Sequence, residues 1–177
     1  MVKSLTVIVP VYNEETLVLE SLSRLDKVEI VNKIIVVDDC STDKSFEIID
    51  KFINNKSKNK LIKTNKNLGK GKAIHAAQPF VKTDYIAIHD ADLEYFPNDL
   101  IKMHEEINGD NFIIGSRFIG DGKRRNLYKR TLYANYLLSK LFSIVHRKKV
   151  TDIATCYKMM PVNFFKNFKI NSSGFEF

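Results

Sequence analysis

Asp90-Ala91-Asp92-Leu93-Glu94 sets three carboxylates at alternate positions directly after an apolar run, Asp84-Tyr85-Ile86-Ala87-Ile88. If the extended backbone continued through this stretch, Asp90, Asp92 and Glu94 would share one face and Ala91 and Leu93 the other. Carboxylates grouped in this way repel one another unless a cation lies between them. A hard divalent ion, Mg²⁺ or Mn²⁺, suits oxygen donors and keeps positions open for substrate phosphates. The chemistry expected is metal-assisted handling of a diphosphate, although the same residues also suit a solvated acidic turn after a strand.

Three more polar clusters follow apolar runs. Leu5-Thr6-Val7-Ile8-Val9-Pro10 leads into Val11-Tyr12-Asn13-Glu14-Glu15, and Lys33-Ile34-Ile35-Val36-Val37 leads into Asp38-Asp39-Cys40-Ser41-Thr42-Asp43. Asn111-Phe112-Ile113-Ile114-Gly115 leads into Ser116-Arg117. Between these β-branched runs lie helical patterns: Val18, Leu22 and Leu25, with Asn13 as a possible cap; Phe46, Ile49 and Ile53; and Leu100, Met103, His104 and Ile107 after Pro97. Lys60-Leu61-Ile62-Lys63-Thr64 reads as a short strand, followed by a helix face of Ala73, Ala76, Ala77 and Phe80 that Pro79 limits. Repeated strand–helix alternation predicts an α/β fold with a mostly parallel central sheet flanked by helices. Ligands of such sheets bind beyond the carboxyl ends of the strands, so the four clusters are expected to converge on one edge.

A chain of 177 residues with 44% hydrophobic content fits one domain with a core of its own. Lys and Arg number 28 against 21 Asp and Glu, a net charge of +7, which points to an anionic partner without choosing among nucleotide, nucleic acid and acidic membrane. Cys40 and Cys156 have neither metal-site nor disulfide spacing, and His75, His89, His104 and His146 are scattered. No apolar run is long enough to cross a bilayer and no secretory leader is evident, so the expected location is cytoplasmic with reduced thiols, membrane contact being peripheral.

Two nucleotide motifs are excluded. The dinucleotide fingerprint needs a glycine where Ile74 stands and a glycine-rich turn after the first strand, where the chain has Val11-Tyr12-Asn13. The P-loop needs a glycine at the position of Lys66 and a hydroxyl residue at that of Ala73. A nucleotidyltransferase is disfavoured as well, since no glycine-rich, arginine-containing loop follows the first strand.

In order along the chain, Val9-Pro10-Val11-Tyr12-Asn13-Glu14, Val37 to Asp43, Asn67-Leu68-Gly69-Lys70-Gly71, Asp90 to Tyr95 and Gly115-Ser116-Arg117-Phe118 resemble the motifs of family 2 glycosyltransferases with a GT-A fold. Thr151-Asp152-Ile153-Ala154-Thr155-Cys156-Tyr157-Lys158 and Gly174-Phe175-Glu176 are similar to the dolichyl- and polyprenyl-phosphate sugar synthases within it. Position 40, usually glycine in that family, is Cys40 here. The resemblance implies a single domain, residues 1–118 binding a GDP- or UDP-linked sugar and residues 119–177 facing acceptor and membrane. It implies donor contacts from Pro10, Tyr12, Glu14, Val37, Asp39, Asp90, Ala91, Asp92 and Arg117. It implies a Mg²⁺ or Mn²⁺ ion on Asp92, supported by Asp90 and Glu94, and catalytic roles for Asp92, Arg117 and Asp152. Asp38 equally suits a loop role, Arg117 a surface ion pair, and Asp152 a cap for a helix from Ile153 to Met160.

The implied reaction is inverting transfer of a sugar to dolichyl or polyprenyl phosphate at the cytoplasmic membrane face. A saccharide or other non-lipid acceptor is the alternative within the family. A non-catalytic anion- or nucleic-acid-binding module is the alternative outside it, and no nucleic-acid partner is expected. Residues 121–149 carry nine Lys or Arg and one Asp, with Ala134, Leu137, Leu138, Leu141, Phe142 and Val145 at helical spacing. Such a helix suits anionic lipid, with Lys123, Arg124 and Arg125 contributing charge, or simply packs its apolar face on its own domain. The end at Ser173-Gly174-Phe175-Glu176-Phe177 resembles an internal motif of the family, so the C-terminal part is expected to be incomplete.

Overall fold

A computed structural model describes residues 3–54, 56–109, 111–119 and 129–167, the side chains of 129–132 excepted. Lys123, Arg124, Arg125 and the segment 173–177 therefore lie outside the described residues. The first strand, β1 (Leu5–Val11), is buried almost throughout, as expected of a strand covered on both faces. Its alternation divides the core in two. Leu5, Val7, Val9 and Val11 pack with residues of α1 (Val18–Leu25), α2 (Ser45–Asn54) and α4 (Asp99–Glu106) on one face of the sheet. On the other face Ile8 packs with Ala73 and Ile74 of α3 (Lys70–Ala76) and Phe165 of α6 (Val162–Asn167).

The other strands are β2 (Val31–Asp38), β3 (Lys60–Lys63), β4 (Tyr85–Ile88), β5 (Ile113–Ile114) and β6 (Lys158–Pro161), in the order β3-β2-β1-β4-β6-β5. β3, β2, β1 and β4 run parallel, whereas β6 lies antiparallel between β4 and β5. The α/β class and the mostly parallel sheet expected from the sequence are thus present. The helix considered for Ile153–Met160 is not. Met159 and Met160 sit in the two opposite core layers, the alternation of a strand, and their apolar run is too short for periodicity alone to tell a strand from a buried helix. The remaining helix, α5 (Lys129–His146), precedes this strand, and no helix among the described residues is long and apolar enough to cross a membrane.

β1 and β4 part company at the end that matters. Their register ends at Ile8↔Ile88, closed by a 3.0 Å bond from the His89 N–H to the Ile8 carbonyl, while β1 continues beside β2 to Val11↔Asp38. A crevice opens there between Pro10–Tyr12 and the chain after His89, at the point where the strand order reverses direction. Asn13 does not cap α1: it has φ 55° and its side-chain oxygen accepts the Thr42 N–H at 2.8 Å, stitching the loop after β1 to the loop after β2. Cys40 has φ 63°, a left-handed conformation in which a Cβ is unfavourable, which explains why glycine suits this position. Cys40→Gly should raise stability by about 0.5–1 kcal/mol in urea unfolding.

His89 is buried beneath the crevice. Its Nδ1 lies 2.7 Å from the Tyr157 hydroxyl and its Nε2 3.1 Å from Ser21 Oγ. Burial lowers its pKa to about 4, so the folded protein holds it neutral. Between the ordinary histidine value and pH 4 the unfolded chain binds the extra proton, so the stability contribution is complete above about pH 6.5 and is lost as pH falls. Comparing urea unfolding of parent and His89→Gln from pH 7 to 4, the parent should lose about 3 kcal/mol more than the variant. Parallel losses would contradict a histidine buried in its neutral form.

Candidate active site

The crevice between β1 and β4 is a cavity of about 460 Å³ lined by Pro10, Val11, Tyr12, Glu14, Asp39, Asn67, Gly69, Lys70, Ala73, Asp90, Ala91 and Asp92. Seven of the nine residues expected to contact a donor line it. Val37 does not, being fully buried in the core layer with Ile8, and Arg117 lies beyond Asp90 and Asp92. Asp39 is only 3% exposed, and its carboxylate accepts N–H bonds from Leu68 and Gly69 and the Thr64 hydroxyl, all within 3.1 Å. Its observed work is to hold the loop before α3 against β2. That loop swings Lys70 into the crevice, where its Nζ meets Asp90 Oδ2 at 2.6 Å. Sequence reasoning names Lys70 only as part of the stretch Asn67–Gly71 and assigns it no role of its own.

The acidic stretch does not stay extended. Residues 91 and 92 turn, Leu93 has φ 62°, and Asp92 Oδ1 accepts the Glu94 N–H at 2.9 Å. The three carboxylates are therefore gathered by the turn and not by strand alternation, all three lining one cavity. Asp90 and Asp92 form the partition between the first cavity and a second of about 350 Å³, whereas Glu94 turns to Arg117 at 2.8 Å. Among the described residues no three His, Cys, Asp or Glu side chains are gathered closely enough to hold a metal ion. Burial, with Asp90 and Glu94 nearby, pushes the Asp92 carboxyl up to about 6. Burial also raises Glu14, helped by Asp92, Asp90 and Asp43. Crowded oxygen donors of this kind fit a hard divalent cation held by one or two carboxylates, its other positions left to phosphate oxygens.

The second cavity is walled by Arg117, Cys156 and Lys158 as well as by the two aspartates. Lys158 donates to the Thr155 carbonyl at 2.8 Å, and burial pushes the Cys156 thiol well up, leaving it a protonated wall residue. Lys158 was invisible as a site residue because it lies on β6, a strand that the sequence pattern does not reveal.

Arg117 is held on three sides. Its Nε and Nη2 bond the two oxygens of Asp152 at 2.8 and 3.0 Å, its Nη1 bonds Glu94, and its backbone N–H adds a 2.9 Å bond to Asp152. Asn135 of α5 completes the arrangement with a 2.6 Å bond to Asp152 Oδ1. Burial alone would raise the Asp152 pKa, but the bonds from Arg117 and Asn135 outweigh it and hold the carboxyl below its usual range. Neither residue is a solvated surface group: their side chains are 9% and 0% exposed. Arg117→Met should cost about 3 kcal/mol or more in urea unfolding, because it leaves Asp152 buried without its charge partner. Adding Asp152→Leu should recover part of that loss, whereas full additivity of the two substitutions would show that the pair is not coupled.

The sequence profile of Glycosyl transferase family 2 matches residues 6–168. The dolichol-phosphate mannosyltransferase of Pyrococcus furiosus is 27% identical over 176 residues, covering 97% of this chain and 50% of its own length. An undecaprenyl-phosphate 4-deoxy-4-formamido-L-arabinose transferase of Pectobacterium atrosepticum is 29% identical over 164 residues, covering 90% and 48% respectively. The chain thus spans about half the length of these two curated relatives. Among solved structures, glucosyl-3-phosphoglycerate synthase of Mycobacterium tuberculosis, in complex with Mn²⁺, uridine diphosphate and phosphoglyceric acid, aligns with a TM-score of 0.66. That alignment covers 92% of this chain and 57% of the neighbour at 15% identity, a likeness of fold. With the profile spanning β1 through α6, the chain belongs to glycosyl transferase family 2.

Proposed function

We propose that the chain is the catalytic domain of an inverting glycosyltransferase that moves a sugar from a nucleotide-sugar to a polyprenyl or dolichyl phosphate at the cytoplasmic membrane face. The observation that carries the reading is the pair of cavities meeting at Asp90 and Asp92, one beside Tyr12 and Glu14, the other beside Arg117 and Lys158. The first accommodates the nucleoside, with half-exposed Tyr12 available to pack on the base and Glu14 to accept from ribose hydroxyls. The sugar would then point past the aspartates into the second. A Mg²⁺ or Mn²⁺ ion on Asp92 and Asp90 would supply charge stabilisation for the leaving diphosphate.

In the transfer step an acceptor phosphate oxygen attacks the anomeric carbon. The bond from that carbon to the diphosphate oxygen breaks, its electron pair leaving with the diphosphate. A phosphate acceptor is already anionic near neutral pH, so no strong general base is required. Arg117 and Lys158 carry positive charge on the wall where the acceptor arrives, and the Asp152 bonds fix the plane of the guanidinium. Asp152 acts here as a positioning residue for Arg117. The acceptor class is supported by the two relatives, whose names specify a dolichol phosphate and an undecaprenyl phosphate.

Calorimetric titration of GDP and UDP, with and without Mn²⁺, tests the donor half of this reading. One of them should bind more tightly with the ion, and Asp92→Asn should bring that affinity down by at least about tenfold, to the metal-free level. Unchanged binding by the variant at saturating Mn²⁺ would remove Asp92 as the metal ligand. Transfer of labelled sugar to short-chain polyprenyl phosphate, but not to a free saccharide, is the outcome expected for the acceptor half.

A further inference from the structure

Lys70, Asp90 and Asp92 line both cavities, and on the reading above the diphosphate of a donor lies against them. Lys70 is fixed at its root and long at its tip. It opens α3 directly after Gly69, whose φ of 84° turns the chain and whose N–H donates to Asp39 Oδ2 at 2.7 Å. From that anchor a flexible aliphatic stem carries the ammonium to Asp90 Oδ2 at 2.6 Å, the side chains of the pair being only 21% and 20% exposed. Asp90 is also one of the two carboxylates that suit the divalent ion. An ammonium and a divalent cation on one carboxylate stand about 4 Å apart, and in a wall this sheltered from water their repulsion is large. The two exclude each other at Asp90.

A donor changes that balance. Its diphosphate brings anionic oxygens to the same wall, and the Lys70 ammonium, a compact charge with rotatable donors, is suited to follow them. Leaving Asp90 for a phosphate oxygen exchanges one anionic partner for another, and it frees the carboxylate for the ion. We propose that Lys70 is a tethered competitor for the metal site: it holds Asp90 against a divalent cation until a nucleoside diphosphate draws it away, so that ion and nucleotide are admitted together. The same exchange run backwards returns Lys70 to Asp90 as nucleotide and ion leave. The inference rests on the metal reading above, and its experiment reads binding alone.

Free Mn²⁺, followed by electron paramagnetic resonance during titration with the 177-residue chain, measures the affinity of the site with no nucleotide present. Lys70→Met keeps the length of the side chain and removes its charge, so it should bind Mn²⁺ at least about tenfold more tightly than the parent. Lys70→Gln should do the same, and Lys70→Arg, which retains the charge, should stay weak. Lys72→Met is the control: it removes an equal charge from an exposed position outside both cavities and should shift the affinity by less than about twofold. By reciprocity, the factor by which Mn²⁺ tightens GDP or UDP should shrink in Lys70→Met to a similar extent. Bare-ion affinity unchanged by loss of the Lys70 charge, or raised equally by Lys72→Met, would overturn the proposal while leaving the metal site in place. Absence of Mn²⁺ binding by every variant, with no gain in GDP or UDP affinity from the ion, would remove the metal reading itself and the proposal with it.

Discussion

A carboxylate with no solvent exposure has to be compensated from within, and Asp152 is the group that obliges the surrounding chain to do so. Its two oxygens collect the Arg117 guanidinium, the Arg117 backbone N–H and the Asn135 amide. These donors come from two parts of the chain, the stretch after β5 and the long helix. Through the other edge of Arg117 the network reaches Glu94, and so the turn that carries Asp90 and Asp92. One buried charge thereby ties the acidic turn, the short edge strand and α5 into a single arrangement, and the stacked pair Tyr95 and Tyr157 fills the space behind it.

The two cavities are electrically unlike. The cavity beside Tyr12 carries Glu14 and Asp92, whose carboxyls burial raises, with the Lys70–Asp90 ion pair alongside. The far side has Arg117 and Lys158, whose charge is partly offset by Glu94 and by the Thr155 carbonyl. A cation is therefore favoured at the aspartates, and the guanidinium and ammonium groups of Arg117 and Lys158 stand beyond them.

The strands β1, β2 and β4 are legible in the sequence because each is a short β-branched run ending in polar residues, and the rule that ligands gather at strand ends brings Tyr12, Glu14 and the aspartates together. What failed was local geometry. Alternation suggested a shared face for Asp90, Asp92 and Glu94, but a residue with positive φ at Leu93 turns the chain, and nothing in Leu as a residue type announces that. β6 was missed because Lys158–Pro161 is only four residues long and its two methionines pack on opposite sides of the sheet. The sequence leaves open which way the apolar face of α5 looks, because helical spacing shows only that such a face exists; the polar residues that bond the loop turn it outward.

The place of β6 in the sheet also governs the order in which the molecule can be assembled. β5 pairs only with β6 among the described strands, and β6 is made some forty residues later, so β5 has no partner when it leaves the ribosome. Until then the sheet comprises, among the described strands, the four parallel ones, with the edge of β4 open and His89 without Tyr157. An open apolar edge of this kind is a site for pairing with the wrong chain. Arrival of β6 covers that edge, brings β5 in beside it and sets Tyr157 against His89, so the wall of the second cavity is completed by the same step that covers β4.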